Sequence, residues 1–184
     1  MRPTCLASDM SLIVVTDIHG APDEALCLSA GLPGVDRLSL ADLCDQPPLS
    51  GEALHHHLFQ EDGMARAVRR LCDMMADQPA LIGLGYSAGG TALWRAAQAG
   101  VPLTGLICVS STRLRDERAL AIPTQVYFGD NDPGRPSEAW LTTVPATATL
   151  LPNAAHAFYA EVDHPARAQV AADIAATITR WTAA

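Results

Sequence analysis

The stretch Gly85-Tyr86-Ser87-Ala88-Gly89 follows an apolar run, Ala80-Leu81-Ile82-Gly83-Leu84, and precedes a helix-like segment that begins near Thr91. The apolar run favours a buried strand, and the residues after the turn favour a helix. A serine between small residues at such a turn can be held with its hydroxyl exposed, as the nucleophile of the G-x-S-x-G pattern is. The alternative is a plain glycine-rich turn in which Ser87 only caps the helix.

The length and composition favour a single domain that spans residues 1–184. The chain has 184 residues, of which 49% are hydrophobic, enough for one full core and too few for two. The formal net charge of -8 argues against a nucleic acid or an anionic membrane as a partner. No run approaches about 18 apolar residues, and the N-terminus lacks a long apolar segment, so we expect a cytoplasmic protein.

Two residue types exclude several chemistries. All 12 basic residues are arginine, which excludes a Schiff-base lysine, a lysine-bound pyridoxal cofactor and the P-loop lysine. The five cysteines contain no C-x-x-C pair and no even framework, which favours free thiols in a reducing compartment.

Strands and helices are predicted to alternate along the chain. Short apolar runs predict strands at residues 11–16, 35–40, 80–85, 104–109, 124–128 and 147–151. Helical patterns and end signals predict helices at residues 22–30, 63–76, between Ser87 and Gly100, 137–143 and 165–181. This alternation is typical of an α/β fold with about six mostly parallel strands and helices on both faces of the sheet.

Residues 41–62 are the least regular part of the sequence and include three adjacent histidines, His55, His56 and His57. Three histidines could bind a metal ion. However, adjacent residues do not converge on one ion from a single strand or helix face, and no H-E-x-x-H pattern follows. We therefore predict a solvated loop here, at the edge of the candidate site, and no metal site.

Three predicted strand ends carry the side chains of one catalytic constellation. Ser87 follows the third strand, Asp132 follows the fifth, and His156 ends the loop after the sixth. Ligands bind at the carboxyl ends of the strands in such a sheet. A serine becomes a nucleophile when a histidine takes its proton and a carboxylate orients that histidine. The order serine, aspartate, histidine is that of the α/β-hydrolases, and we predict these three residues as a triad.

Two positions of this constellation have rivals. Asp130 is a second acid in the loop after the fifth strand. On the tight turn beside Gly129 it more often bonds to its own backbone, so we favour Asp132. His19 is a second candidate for the base, although a His-Gly pair in that loop is usually a backbone feature.

The tetrahedral intermediate formed on a serine needs two backbone N–H groups to stabilise its oxyanion. One should come from Ala88, directly after the nucleophile, and the other from the loop after the first strand. That loop reads Asp17-Ile18-His19-Gly20. We predict Ile18 as the second donor, with His19 as the next choice.

Taken together, these motifs resemble the dienelactone hydrolase family of the α/β-hydrolases over nearly the whole chain. The resemblance implies the α/β-hydrolase fold, the triad Ser87, Asp132 and His156, and oxyanion donors at Ile18 and Ala88. The matching segments are Val14-Val15-Thr16-Asp17-Ile18-His19-Gly20, Gly85-Tyr86-Ser87-Ala88-Gly89-Gly90, Phe128-Gly129-Asp130-Asn131-Asp132-Pro133 and Ala154-Ala155-His156-Ala157-Phe158.

The chain also departs from that family. The namesake enzymes have a cysteine in place of Ser87, a glutamate in place of Asp17, and arginines that hold the carboxylate of the substrate. One of these arginines would stand at Ala160, and no arginine lies between Arg37 and Arg66, where another is expected. A neutral ester therefore fits this chain better than dienelactone does.

The segment between the strand that ends at Val109 and the strand that begins at Thr124 is too short for the helical lid of many relatives. We expect an open, lidless site that hydrolyses a small carboxylic ester through an acyl-enzyme on Ser87, a reaction that requires no cofactor. The alternatives are a hydrolase of another acyl bond, a thioester or a small amide, and a catalytically silent binding module of the same fold.

Overall fold

Six parallel strands form one sheet in the computed structural model, which describes residues 11–20, 24–78 and 81–183. The strands follow the order β2-β1-β3-β4-β5-β6 across the sheet. They are β1 (Ser11–Val15), β2 (Val35–Leu38), β3 (Leu81–Tyr86), β4 (Leu103–Val109), β5 (Thr124–Gly129) and β6 (Thr147–Leu151). All six predicted strands are confirmed, with ends shifted by a residue or two; Ala80, the predicted start of the third, lies outside the described residues.

Helices connect these strands. The α-helices of the described residues are α1 (Leu40–Leu43), α2 (Gly51–Gln60), α3 (Gly63–Met75), α4 (Ala88–Gln98), α5 (Glu138–Thr143) and α6 (Ala166–Thr182). Single turns of 3-10 helix occur at Glu24–Leu26 and Leu114–Asp116. The predicted helices that correspond to α3, α4, α5 and α6 are confirmed.

Both faces of the sheet are covered, but by different amounts of helix. Ile13 and Val15 of β1 pack into a core that includes residues of α1 to α5. Leu12 and Val14, which point to the opposite face, pack in a second core with α6 and with loop residues such as Leu28 and Phe158. Burial on both faces explains why the inner strands β1, β3, β4 and β5 read as largely apolar runs rather than as alternating ones.

The predicted helix at residues 22–30 is wrong over the part that the structure describes. Pro22 and Asp23 lie outside the described residues, and after them the chain forms one 3-10 turn and then non-helical turns. The consecutive residues Cys27, Leu28 and Ser29 are all buried. A surface helix buries only one stripe, so it cannot direct three neighbouring residues into the core.

The prediction of a solvated loop over residues 41–62 is also wrong, because this segment contains most of α1 and all of α2. The three histidines lie in α2, where His57 is buried beside Leu58. His57 Nδ1 donates to Glu61 Oε2 at 2.7 Å, one helical turn away. Among the described residues there is no group of three or more histidine, cysteine, aspartate or glutamate side chains that could hold a metal ion.

The segment between β4 and β5 is short, and all of its residues are described. It contains one 3-10 turn and forms no helical lid. In the described part of the chain, no helix combines the length and the apolar character needed to span a membrane.

Replacing Gly89 with alanine is expected to destabilise the fold. A Cβ at this position would overlap the carbonyl oxygens of Val15 and Thr16, because α4 packs directly on the end of β1. Helix propensity alone predicts the opposite sign, a gain of up to about 1 kcal/mol. We expect the free energy of unfolding in urea to fall by at least about 2 kcal/mol. Gln98→Ala, at an exposed position of the same helix, is the control and should change it by less than about 0.5 kcal/mol.

Candidate active site

Ser87 forms a strained turn between β3 and α4. Its backbone has φ 47° and ψ -120°, a region that side-chain-bearing residues rarely adopt. The Ser87 N–H donates to the carbonyl of Val109 at 2.9 Å, which anchors the turn to β4. Its hydroxyl forms no capping bond with α4, so the alternative of a plain N-cap is not what the structure contains. The turn leaves the Ser87 side chain free to interact elsewhere.

The structure brings Ser87, His156 and Asp132 together in one chain of hydrogen bonds. Ser87 Oγ lies 3.0 Å from His156 Nε2, and His156 Nδ1 lies 2.8 Å from Asp132 Oδ2. When Nδ1 carries the proton it donates to Asp132, and Nε2 is then free to accept from the Ser87 hydroxyl. The Asp132 carboxylate is buried, whereas the His156 side chain is 36% exposed. This arrangement polarises a serine hydroxyl at a site that solvent can reach.

Of the two acids in the loop after β5, Asp132 is the one that contacts His156. Its second oxygen, Oδ1, accepts the N–H of Gly134 at 2.7 Å, which holds the carboxylate in a fixed orientation. Asp130 is exposed, and its backbone N–H donates to the carbonyl of Leu151. Asp130 therefore helps to join the loop to β6, and its carboxylate forms no hydrogen bond within the described residues.

The predicted oxyanion donors come from the residue after the strained turn and from the loop after β1, the strand beside β3. Ala88 is the first residue of α4, where backbone N–H groups have no partner inside the helix. Ile18 follows β1, and within the described residues neither its N–H nor that of Ala88 forms a hydrogen bond. The His19 N–H is already used, because it donates to Asp17 Oδ1 at 2.8 Å. Of the loop donors considered, Ile18 rather than His19 is thus the one with a free N–H.

The His19 side chain does not join the Ser87 hydrogen-bond chain. It is exposed and lies near the start of α2, where a Cβ at Gly51 would be 3.7 Å from its ring. Gly51 N–H also donates to the carbonyl of Ile18 at 2.7 Å. The start of α2 therefore fixes the loop that carries Ile18.

The order of the strands explains why these residues meet. The chain passes from β1 to β2 on one side and then crosses back to β3 on the other, so β1 and β3 are neighbours with Val15 paired to Gly85. Such a switch point leaves a crevice at the carboxyl ends of the two strands. Ile18 follows one of these ends and Ser87 follows the other.

Thr112, which was not among the predicted site residues, also contacts the serine. Thr112 Oγ1 lies 2.9 Å from Ser87 Oγ, and the Thr112 N–H donates to the Ser87 carbonyl at 3.3 Å. The hydroxyl of Thr91, in α4, donates to the Thr112 carbonyl and so holds this residue in position. Its location directly after β4, the strand beside β3, was a signal that could have identified it.

Tyr159 was also missed, although it lies three residues after His156. Its hydroxyl donates to Asp17 Oδ2 at 2.8 Å, so it joins the loop after β6 to the loop after β1. Its ring stacks on Tyr86 with centroids 5.2 Å apart. Burial and the neighbouring Asp17 carboxylate raise the pKa of Tyr159 above its usual value. The phenol therefore stays protonated at neutral pH and remains a donor to Asp17.

Comparison with known proteins gives matches only among solved structures. No protein-family model matches the chain, and no curated protein matches it in sequence. Est1E from Butyrivibrio proteoclasticus, solved with ferulic acid bound, superposes with a TM-score of 0.66 at 16% identity, over 96% of this chain and 92% of that one. A dienelactone hydrolase-like promiscuous phosphotriesterase from metagenomic libraries gives 0.64 at 17% identity, over 94% and 86%.

A third solved structure has a similar fold. It is an alpha/beta hydrolase enzyme from a sediment metagenome of the Mar Chica lagoon in Morocco, with a TM-score of 0.56 at 15% identity, over 87% of this chain and 89% of that one. The chain has the α/β-hydrolase fold. At these identities the likeness concerns the fold alone, and the chemistry has to be argued from the side chains of this protein.

Within the α/β-hydrolase fold, this crevice provides the parts that an acyl-transfer reaction needs. A histidine accepts from the serine hydroxyl and a carboxylate fixes the histidine. The N–H groups of Ala88, directly after the serine, and of Ile18, in the loop after the neighbouring strand, have no partner within the described residues. Each of these parts comes from the main chain or from side chains of the protein itself.

Thr112→Val is expected to slow covalent modification of Ser87 by a fluorophosphonate by about five-fold, because a hydrogen bond that orients the serine, worth about 1 kcal/mol, is lost. The measurement is the second-order rate constant for the modification. Thr112→Ser keeps the hydroxyl and should restore most of the rate, which a purely structural role would not predict. An unchanged rate in Thr112→Val would show that Thr112 does not position the serine.

Proposed function

We propose that this protein is a serine hydrolase that cleaves small, neutral carboxylic esters through an acyl-enzyme on Ser87. The observation that carries the proposal is the hydrogen-bond chain from Ser87 Oγ to His156 and from His156 to Asp132. A serine hydroxyl at a strained turn, bonded to an imidazole that a buried carboxylate orients, is the arrangement of an activated nucleophile.

The proposed reaction has two halves. Ser87 Oγ attacks the ester carbonyl while His156 takes its proton, and the new oxyanion accepts from the N–H groups of Ile18 and Ala88. His156 then gives the proton to the leaving alcohol, and the acyl group remains on Ser87. In the second half, His156 takes a proton from water, whose oxygen attacks the acyl carbon, and Ser87 is released with its proton restored. Asp132 keeps Nδ1 of His156 protonated and stabilises the imidazolium. No cofactor enters the reaction.

The structural neighbours support this chemistry by analogy. Est1E was solved with ferulic acid, a carboxylic acid, as its bound ligand. The dienelactone hydrolase-like neighbour is named as a promiscuous phosphotriesterase, which acts on a different class of ester. Both names are consistent with ester hydrolysis on this fold, and neither decides the substrate of this chain.

Two features favour a small and neutral substrate. The segment between β4 and β5, all of whose residues are described, forms no helical lid, which favours small or extended molecules over large lipid esters. Ala160 stands where the resemblance would have a carboxylate-binding arginine, so this position offers no positive charge to an anionic substrate. A carboxylate on the substrate would therefore find no arginine at this position.

Asp132→Asn should lower kcat for 4-nitrophenyl acetate by up to about 10⁴-fold, because an amide in place of the carboxylate favours the wrong imidazole tautomer. The measurement is steady-state hydrolysis at neutral pH.

The matched control is Asp130→Asn, which alters the exposed acid of the same loop and is expected to leave kcat nearly unchanged. Near-normal activity in Asp132→Asn together with a large loss in Asp130→Asn would assign the role to Asp130. Repeating the comparison with a matched thioester and amide separates ester hydrolysis from hydrolysis of another acyl bond.

A further inference from the structure

A small cavity lies beside the Ser87 turn, on the face of the sheet that α6 covers. Its volume is about 150 Å³. The lining residues come from four segments of the chain that meet at this point. They are Asp17, His19 and Gly20 after β1, Cys27 and Leu28 before β2, Tyr86 at the end of β3, and Tyr159 with Ala160 after β6. His19 and Ala160 are exposed, so the cavity reaches the surface beside them.

The walls of this cavity are largely aromatic and aliphatic. The stacked rings of Tyr86 and Tyr159 form one side, and Leu28 contributes an aliphatic side chain. The polar side-chain atoms of the buried wall residues already have partners. Cys27 Sγ lies 3.2 Å from the Tyr86 hydroxyl, and the Tyr159 hydroxyl donates to Asp17. A bound group would therefore meet mainly carbon surface.

The charge at the cavity disfavours anions. Asp17 is the acidic residue of the lining, and the lining includes no arginine. Its carboxylate accepts from the His19 N–H and from the Tyr159 hydroxyl. A neutral apolar group can enter without a counter-ion, whereas a carboxylate would face Asp17 unpaired.

The cavity adjoins the reacting atoms. Tyr86 directly precedes Ser87 in the chain, and Asp17 and His19 flank Ile18, the free backbone donor. The Ser87 hydroxyl also interacts with the Tyr159 hydroxyl. This interaction lowers the pKa of Tyr159 and so partly offsets the rise that burial causes. This cavity is therefore the space next to a substrate group at Ser87 Oγ, although Ser87 itself is not part of its lining.

The volume limits the size of that group. An apolar cavity of about 150 Å³ holds one benzene molecule. Groups much smaller than this would leave part of the cavity unfilled, and a fused ring system would exceed it. The size thus favours a single ring or a branched chain of about six carbons.

We propose that this cavity is a substrate subsite that binds one neutral aromatic or branched aliphatic group, of about six carbons, of the ester. The proposal rests on the ester hydrolysis inferred above and adds the class of ester. The protein should prefer esters with one phenyl-sized, uncharged end over otherwise equal esters with a methyl end.

The test fills the cavity from its exposed side with Ala160→Phe. Hydrolysis is followed by proton release for two pairs of esters: methyl acetate and benzyl acetate, which vary the alcohol, and ethyl acetate and ethyl phenylacetate, which vary the acyl group. We expect Ala160→Phe to lower kcat/KM about ten-fold or more for the aromatic member of at least one pair, and by less than about two-fold for the small members. The pair that responds identifies which end of the ester the cavity binds.

Glu161→Phe is the matched control, because it adds the same ring at the next exposed residue, which is not part of the lining. It should change no ratio by more than about two-fold. If Ala160→Phe also slows the small esters, the smaller replacement Ala160→Leu takes its place in the same comparison. Unchanged ratios in both pairs, in a variant that still hydrolyses methyl acetate, would overturn the subsite. A wild-type protein that hydrolyses none of the four esters would instead refute the proposed function.

Discussion

The left-handed backbone of Ser87 is the constraint on which the rest of the site depends. A non-glycine residue at φ 47° costs about 1–3 kcal/mol and persists only where the surrounding structure holds it. Here α4 supplies that support, because it packs tightly against the ends of β1 and β3. The contact is possible only because Gly85 and Gly89 carry no side chain: a Cβ on either would overlap backbone atoms. The glycines of the motif thus allow the close packing, and the packing sustains the strain that exposes the serine.

The two faces of the sheet are covered by different elements, and each face contributes differently to the site. Helices α1 to α5 share one face, and the start of α2 fixes the loop that carries Ile18. The other face has α6 and several loop segments, which pack less regularly than helices do. The loop after β6, which carries His156 and Tyr159, and the segment around Leu28 meet on that face and leave the small cavity between them. One side therefore holds the backbone donors in place, while the other offers space for part of a substrate.

Local sequence signals predicted much of this arrangement. The strands were predicted because burial on both faces gives apolar runs, and the serine, aspartate and histidine were grouped because each follows a strand end. The signals failed where burial is set by distant residues. Cys27, Leu28 and Ser29 are all buried, and Cys27 contacts Tyr86, far away in the sequence. The three histidines of α2 gave its sequence the polar character of a loop. Thr112 contacts Ser87, 25 residues away in the sequence, and Tyr159 contacts Asp17, 142 residues away. A local sequence pattern does not record contacts at such separations.

The central claim is that Ser87 is an activated nucleophile, and covalent labelling with a fluorophosphonate tests it most directly. Wild type and Ser87→Ala would be treated side by side, and the adduct would be mapped by mass spectrometry after digestion. The account predicts one adduct, on Ser87, that is absent from the Ser87→Ala variant. Folded wild-type protein that forms no adduct, or forms the same adduct in both proteins, would contradict it.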